Sequence, residues 1–402
     1  MATNKEQNKL NVPHLRFPEF HGEWEKCKLG DIATLTKGSG ISKDQRSATG
    51  TPCILYGELY TTYKSEVIDY VVSKTDISDK NLVRSCANDI IIPSSGETAI
   101  DISTARCVLS PDVLLGGDLN IIRLKDGDGR FFSYQLNGVR KHDIAKIAQG
   151  VSVVHLYGES IKGLTVSFPS NKEQQKISTL LSLIDERIAT QSKLIEDLKK
   201  LKSAIIDYAI NSIDADFIKF SSLYEIAGEG GTPTTSNASF YDNGKIPFIK
   251  IDDLKKKYLT ENKDFITELG LQKSSAWLVP SRSILFSNGA TIGEITITTY
   301  PVCTKQGILG IVPKSNIDVE FLYYFMSSSY FKKEVSRIVT EGTMKTAYLK
   351  DINNIRCPIP TKGKQQEIAQ MPSALSSKID FEQSILKLFY AQKQYLLRQM
   401  FI

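Results

Sequence analysis

The stretch Phe168-Pro169-Ser170-Asn171-Lys172-Glu173-Gln174-Gln175-Lys176-Ile177 returns later in the chain as Ile359-Pro360-Thr361-Lys362-Gly363-Lys364-Gln365-Gln366-Glu367-Ile368. Each copy closes an irregular, strand-like region and opens a long helical one, and the second helical region runs to the C-terminus. An internal repeat settles architecture ahead of any residue-level argument, and here it reads domain–helix–domain–helix. A duplicated binder with a pseudo-two-fold suits an elongated, nearly two-fold target, of which duplex DNA is the commonest.

The repeat extends outward from these joints. Leu29-Gly30-Asp31-Ile32-Ala33 parallels Leu223-Tyr224-Glu225-Ile226-Ala227, and Asp89-Ile90-Ile91-Ile92 parallels Ser283-Ile284-Leu285-Phe286. Gly96-Glu97-Thr98-Ala99-Ile100 parallels Gly289-Ala290-Thr291-Ile292-Gly293, and Phe131-Phe132-Ser133-Tyr134 parallels Phe321-Leu322-Tyr323-Tyr324. Gln149-Gly150-Val151-Ser152 parallels Glu341-Gly342-Thr343-Met344. The apolar runs read as strands and the glycine pairs as turns. Phe131 to Ile147 has helical spacing, which predicts a helix late in the first domain. The framework matches while the residues between differ, as expected of one scaffold carrying two recognition surfaces.

The helical segments carry heptads. One seam column runs Ile177, Ile184, Gln191, Leu198 and Ile205, and a second is expected at Leu180, Arg187, Leu194, Leu201 and Tyr208. Lys and Glu crowd the remaining positions, which is a coiled-coil pattern with Arg187 and Gln191 as register-setters. At about 1.5 Å per residue this helix would be about 60 Å long. The C-terminal segment is looser, with Ile368, Leu375, Ile379, Leu386, Phe389, Leu396 and Met400 as its apolar positions. Pro372 predicts a kink or a late start there. The two seams most simply pack antiparallel on each other, with outer faces left for partners.

Composition permits several classes and excludes some. A chain of 402 residues has room for two or three domains, and 41% hydrophobic residues is ordinary for a globular protein. No apolar run approaches the roughly 20 residues of a membrane span. The polar start, Met1 to Leu10, has no signal-peptide core and reads as a short flexible tail of a cytosolic protein. A net charge of +5 and a pI near 8.6 permit a nucleic-acid partner without demanding one. Six cysteines at 27, 53, 86, 107, 303 and 357 form no C-x-x-C pair, so they read as reduced and buried, and no metal site is expected.

No phosphate loop, dinucleotide fingerprint, H-E-x-x-H or G-x-S-x-G motif occurs, which favours a binding subunit over a catalyst. Candidate DNA contacts sit where cations or polar side chains ride on loops. In the first half these are Lys37, Lys43 and Arg46, with Tyr60, then Ser94, Ser95 and Thr98, and later Gln149 and Ser152. In the second half they are Lys250 and the run Lys255-Lys256-Lys257, then Asn288 and Thr291, then Lys305, Gln306 and Lys345. Lysine and arginine neutralise phosphates, and Gln, Asn or Lys on glycine-supported loops can read base edges.

At this point the chain resembles a family, the specificity subunits of bacterial type I restriction–modification enzymes. The run Val12-Pro13-His14-Leu15-Arg16-Phe17-Pro18-Glu19-Phe20 carries the resemblance, with Trp24, Gly231-Thr232-Pro233, Ile246-Pro247-Phe248-Ile249 and the two Pro…Gln-Gln-x-Ile openings. The resemblance covers nearly the whole chain, and the order of its motifs, twice over, is what makes it specific. It implies an α+β fold of two similar mixed α/β target recognition domains, separated by two long antiparallel coiled-coil helices about a pseudo-two-fold. The expected divisions are a tail at 1–20, recognition domains at 21–170 and 214–361, and spacer helices at 171–213 and 362–402. Ile177, Leu180, Ile184, Leu194, Leu198, Leu201, Leu375, Ile379, Leu386 and Leu396 are the coil and partner positions. The resemblance also implies the partners: double-stranded DNA, two modification (methyltransferase) subunits, and restriction/motor subunits, with no membrane. S-adenosylmethionine, ATP and Mg would be bound by those partners, and this chain would hold no cofactor, no metal and no catalytic residue. The rival readings are a self-contained nuclease or methyltransferase with unrecognised motifs, and a coiled-coil adaptor with no DNA role.

Overall fold

The computed structural model describes residues 10–78, 81–289, 291–339 and 345–402. They form two compact units. One comprises Met1–Ser192 together with Ser384–Ile402, and the other is Lys193–Gln383.

The first unit is built on a five-stranded sheet in the order Ala33–Lys37, Leu119–Leu124, Asp89–Pro93, Arg106–Val108, Val67–Ile68. All pairings are antiparallel except the last, which is parallel. Asp89–Pro93 is buried along its whole length, the signature of a strand covered on both faces. Its alternation sorts the side chains. Ile90 and Ile92 join a core with Phe131, Phe132 and Tyr134, whereas Ile91 faces a second core with Ile54, Leu59 and Ile121. A small sheet of Lys74–Thr75, Thr51–Ile54 and Leu114–Leu115 covers that second face, and Glu25–Lys28 pairs with Thr165–Phe168.

The second unit repeats this plan in its main sheets. Its five-stranded sheet runs Tyr224–Glu229, Ile308–Pro313, Ile284–Ser287, Ile295–Thr298, Tyr258–Leu259, again with only the last pair parallel. The small sheet (Asp264–Ile266, Ile246–Ile249, Cys303–Thr304) and the two-stranded pair (Phe217–Lys219 with Arg356–Pro358) recur as well. The duplication inferred from the sequence is therefore a duplication of hydrogen-bond topology.

The repeated glutamine explains itself in this frame. Gln174 is 2% exposed; its Oε1 accepts from the Asp128 N–H at 3.0 Å and its Nε2 donates to the Pro169 carbonyl at 2.8 Å. Gln365 does the same with Asp318 N–H at 2.7 Å and Pro360 carbonyl at 2.9 Å. Asp128 and Asp318 are in turn the N-caps of helices Gly129–Asn137 and Val319–Ser327, which bear the core aromatics. One side chain thus ties the first turn of a long helix to the start of the helix that fills the core. The neighbours Gln175 and Gln366 are exposed.

The two long helices span Asn171–Asn211 and Lys362–Gln399. Within the first unit Lys393 meets Asp185, while Phe389 borders a pocket with Arg187 and Gln191, so the segments run antiparallel. Within the second unit Lys202 reaches Ser376, and Ile206 and Ile210 share a core with Ala369, which is again antiparallel. In the first unit Lys393 is bonded to both Asp185 and Glu66. Burial opposes its charge, but the two carboxylates outweigh burial and raise its pKa.

Several expectations are corrected. Ile177 and Ile184 are buried and Leu198 half-buried, but the second seam column lies one residue later than expected. Leu181, Ile188 and Ile195 are buried, whereas Leu194, Leu201 and Tyr208 are exposed and Leu180 is half-buried. Both columns keep a seven-residue repeat; the observed one is apolar at 188, where the expected one places Arg187. Pro372 neither delays nor ends its helix, which runs from Lys362 to Gln399 with the proline buried inside. Burial of Ala369 and Ile379 on either side stabilises it there, against the missing N–H. The expected helix at Phe131–Ile147 is two, Gly129–Asn137 and Lys141–Ile147, divided at Gly138. Residues 11–20 are not a loose tail: Arg16 forms a paired bond with buried Glu173 at 2.8 Å, and Leu15 N–H donates to Gln399. Cys86 is exposed, unlike the buried Cys53, Cys107, Cys303 and Cys357, and burial pushes the Cys53 and Cys303 thiols up to about 11.

Removing either joint glutamine should be costly. Gln174→Ala and Gln365→Ala each leave an N-cap backbone N–H, buried at Asp128 and half-buried at Asp318, without its partner and should lower stability by about 1–3 kcal/mol. Gln175→Ala and Gln366→Ala should stay within about 0.5 kcal/mol of the parent. Urea denaturation of the four variants checks this, and four equal midpoints would contradict the role of the joint.

Candidate nucleic-acid interface

In each unit the loops at one end of the central sheet are laced together by the same set of backbone bonds. In the first unit Gly38 N–H donates to Leu119, Gly116 to Ile54, Ser94 to Asp118, and Leu156 to Ser94. In the second the corresponding bonds are Gly230 to Ile308, Lys305 to Ile249, Asn288 to Gly307, and Ala347 to Asn288. Glycine is required where the chains touch. A Cβ on Gly38 would lie 1.9 Å from the Gly116 carbonyl oxygen, and one on Gly230 2.2 Å from the Thr304 carbonyl oxygen. The matched lacing fixes a matched frame, and the side chains it presents differ.

In the first unit this frame gathers many of the predicted residues. Lys37 ends the edge strand, paired across to Asn120, whose side chain bonds the Leu156 carbonyl. Ser95 pairs with His155, and Gln149 exchanges two backbone bonds with His155, so that exposed Ser152 stands on the short loop between them. Lys43 and Arg46 line a cavity of about 890 Å³ with Tyr56, Thr61, Gly116 and Gly117. Arg46 also lies 3.6 Å from Glu58. Tyr60 is half-buried, and burial first, then nearby Tyr56, Asp101 and Glu97, raises its pKa.

In the second unit Gln306 and Lys305 are exposed beside Gly307, with the Gln306 N–H held by the Thr232 hydroxyl at 3.2 Å. Lys345 is exposed next to Thr346, which bridges to Gly289. Thr291 is exposed, and its carbonyl accepts from Ser287. Lys250 follows Ile249 on the same frame but is paired with Asp264 at 2.8 Å.

Six of the predicted contacts are taken up by interactions within the protein instead. Asn288 is 1% exposed and braces the frame through Nδ2 to the Ala347 carbonyl, so it reads no base edge. Ser94 is buried and contributes backbone bonds. Thr98 caps a short helix, accepting from Asp101 N–H and donating to its carboxylate at 2.6 Å. The lysine run is held by acids and rings of its own unit. Lys257 is bonded to Glu320 and sits over the Tyr324 ring near the second long helix, while Lys255 pairs with Asp252 and Lys256 with Glu261. Each cation of the run has its own acid: Lys255 and Lys256 take acids close in sequence, and Lys257 takes Glu320, distant in sequence. The loop at 341–344 that parallels Gln149–Ser152 lies outside the described residues. Among the described residues no cluster of His, Cys, Asp and Glu could hold a metal, and no helix is long and apolar enough to cross a membrane.

A frame used twice, with different side chains mounted on it, matches a known family. The chain belongs to the type I restriction modification DNA specificity domain family, which it matches over residues 21–200 and 213–388. Members are recognition subunits of type I restriction–modification systems and are not themselves catalytic. The chain is 23% identical over 386 residues to the type I restriction enzyme MjaIX specificity subunit of Methanocaldococcus jannaschii, covering 89% of this chain and 88% of that one. It is 24% identical over 222 residues to the EcoR124I/EcoR124II specificity subunit of Escherichia coli, covering 53% and 55%. A crystal structure of a type I system S subunit from M. genitalium shares the fold, with a TM-score of 0.61 at 20% identity over 97% of this chain and 99% of that one.

The buried and exposed amides of the second unit should separate by experiment. Asn288→Ala should lower stability by about 1–3 kcal/mol through the orphaned Ala347 carbonyl. Gln306→Ala should leave stability within about 0.5 kcal/mol of the parent. Urea denaturation of the two variants checks both; equal midpoints would contradict the bracing role of Asn288.

Proposed function

We propose that this chain is the sequence-reading subunit of a type I restriction–modification complex, with each unit reading one half of a bipartite DNA target. The identical lacing in both units, carrying different exposed side chains, supports this: the scaffold is shared and the readers are not. Lys37, Lys43, Gln149 and Ser152 are the first unit's contacts, and Lys305, Gln306 and Lys345 the second's. Lysines supply the salt-dependent phosphate term and the glutamines base-edge bonds.

The long helices serve as spacer and dock. Leu194, Leu201 and Tyr208 on the first helix, and Phe381, Leu388 and Tyr395 on the second, recur every seven residues and are all exposed. Unburied apolar columns of this kind mark helix faces that await a partner. Two methyltransferase subunits are the partners proposed for them, with restriction/motor subunits in the complete assembly. Adenine methylation from S-adenosylmethionine, and cleavage driven by ATP with Mg, belong to those partners. The complex works in the cytoplasm, where its DNA is.

Deleting one heptad from each helix, residues 188–194 and 384–390, should shorten the gap between the two half-sites and leave both half-site sequences intact. Methylome sequencing reads the outcome directly, and an unchanged gap refutes the spacer role. Replacing residues 20–165 with a relative's equivalent should alter only one half-site; alteration of both would refute modular reading.

A further inference from the structure

One aromatic residue stands at the same place on both laced frames. Leu156 and Ala347 donate the matched backbone bonds to Ser94 and Asn288, and the next residue in each case is tyrosine, Tyr157 and Tyr348. Their backbones agree closely, φ −87° and ψ 140° against φ −71° and ψ 141°. Each is the N-cap of a short helix, and neither side chain makes a capping bond there. Ser, Thr, Asp and Asn are the residues that stabilise this position, and tyrosine does not. Nor is packing the reason, since the two side chains are 48% and 46% exposed.

Among the described residues, neither hydroxyl has a hydrogen-bond partner, so each is available to donate outward. Each ring has a basic neighbour. His155 stacks on Tyr157 with centroids 6.3 Å apart, and the Lys350 ammonium lies 5.5 Å from the Tyr348 centroid. An exposed aromatic whose hydroxyl is free, beside a basic group, is suited to an anionic ligand.

We infer that Tyr157 and Tyr348 are a matched pair of DNA-backbone contacts, each donating its hydroxyl to a phosphate of its own half-site. The inference rests on the reading of the chain as a DNA-recognition subunit. Its logic is that the two units face different base sequences. A residue type repeated at the same backbone position on both frames fits what the half-sites share, the sugar–phosphate chain, while the differing residues around it fit bases. Phosphate contacts of this kind set register without carrying sequence information.

The test uses the full chain co-expressed with its methyltransferase partner, as Tyr157→Phe, Tyr348→Phe and the double variant. The probes are a fluorescein-labelled duplex bearing the motif found by methylome sequencing and a scrambled duplex of equal length. Loss of one charge-assisted hydrogen bond should weaken binding to both duplexes alike, by about tenfold per tyrosine and about a hundredfold for the pair. Because tyrosine is neutral and displaces no counterion, the slope of log Kd against log salt should not change. The methylated motif should also be unchanged. Unaltered affinity in the double variant overturns the inference, as does a loss confined to the motif-bearing duplex or a changed motif, either of which would make these residues base readers. If the parent complex itself fails to distinguish the two duplexes, the DNA-recognition reading falls, and this inference with it.

Discussion

Everything in this chain is hung on two buried glutamines. Gln174 and Gln365 each occupy a site with no access to water, where an amide must satisfy both its donor and its acceptor or cost stability. Each does so by bonding the proline carbonyl five residues before it and the backbone of an aspartate N-cap in the preceding domain. That geometry fixes where the long helix begins and how it leaves the sheet. It also positions the helix whose Tyr134 or Tyr324 then reaches back to the long helix, at Asp185 in one unit and Ser373 in the other. The joint is repeated because the same mechanical problem, passing from a mixed sheet to a long helix without play, is solved twice.

With the joint fixed, the loops at the sheet end become interchangeable fittings. Four backbone bonds hold them in each unit, and glycines let the chains touch where any side chain would collide. Apart from braces such as Asn120 and Asn288, such a frame depends little on exposed loop side chains, which leaves those free to diverge. The chemistry of recognition can then change without disturbing the cores built on Ile90 and Ile284.

How much of this the sequence shows depends on how local the deciding physics is. The two joints, the duplicated order and the buried strand at Ile90–Ile92 are all visible, because apolar runs and punctuation residues act over short range. The second seam column is not: Leu180 and Leu181 are both leucine, and the choice between them is made by packing against residues distant in sequence, with Arg187 the one local hint. Pro372 reads as a break because local rules count the lost N–H and ignore the burial on either side of it. Asn288 reads as a recognition residue because its type and glycine neighbour fit one; only the tertiary bond to Ala347 shows it is a brace. The lysine run misleads in the opposite way. Its charges are real, but acids plain in the nearby sequence already satisfy Lys255 and Lys256, and the distant Glu320 satisfies Lys257. Tyr157 and Tyr348 escape notice because their equivalence appears only once the backbone bonds are aligned.

The first unit is completed by the last residues of the chain. Met400 and Phe401 lie in its core, Phe401 against Trp24 and Phe131, and Arg140 donates to the Ile402 carbonyl. The second unit is thus a continuous segment inserted into the first. During synthesis the order of completion is therefore reversed. The half of the protein that leaves the ribosome first must wait, with its core open, until the half made later has been finished and the final turn of helix has been released. Loss of Met400 and Phe401 would open the core of the first unit, which lies mostly at 1–192, and would remove nothing from the second, at 193–383.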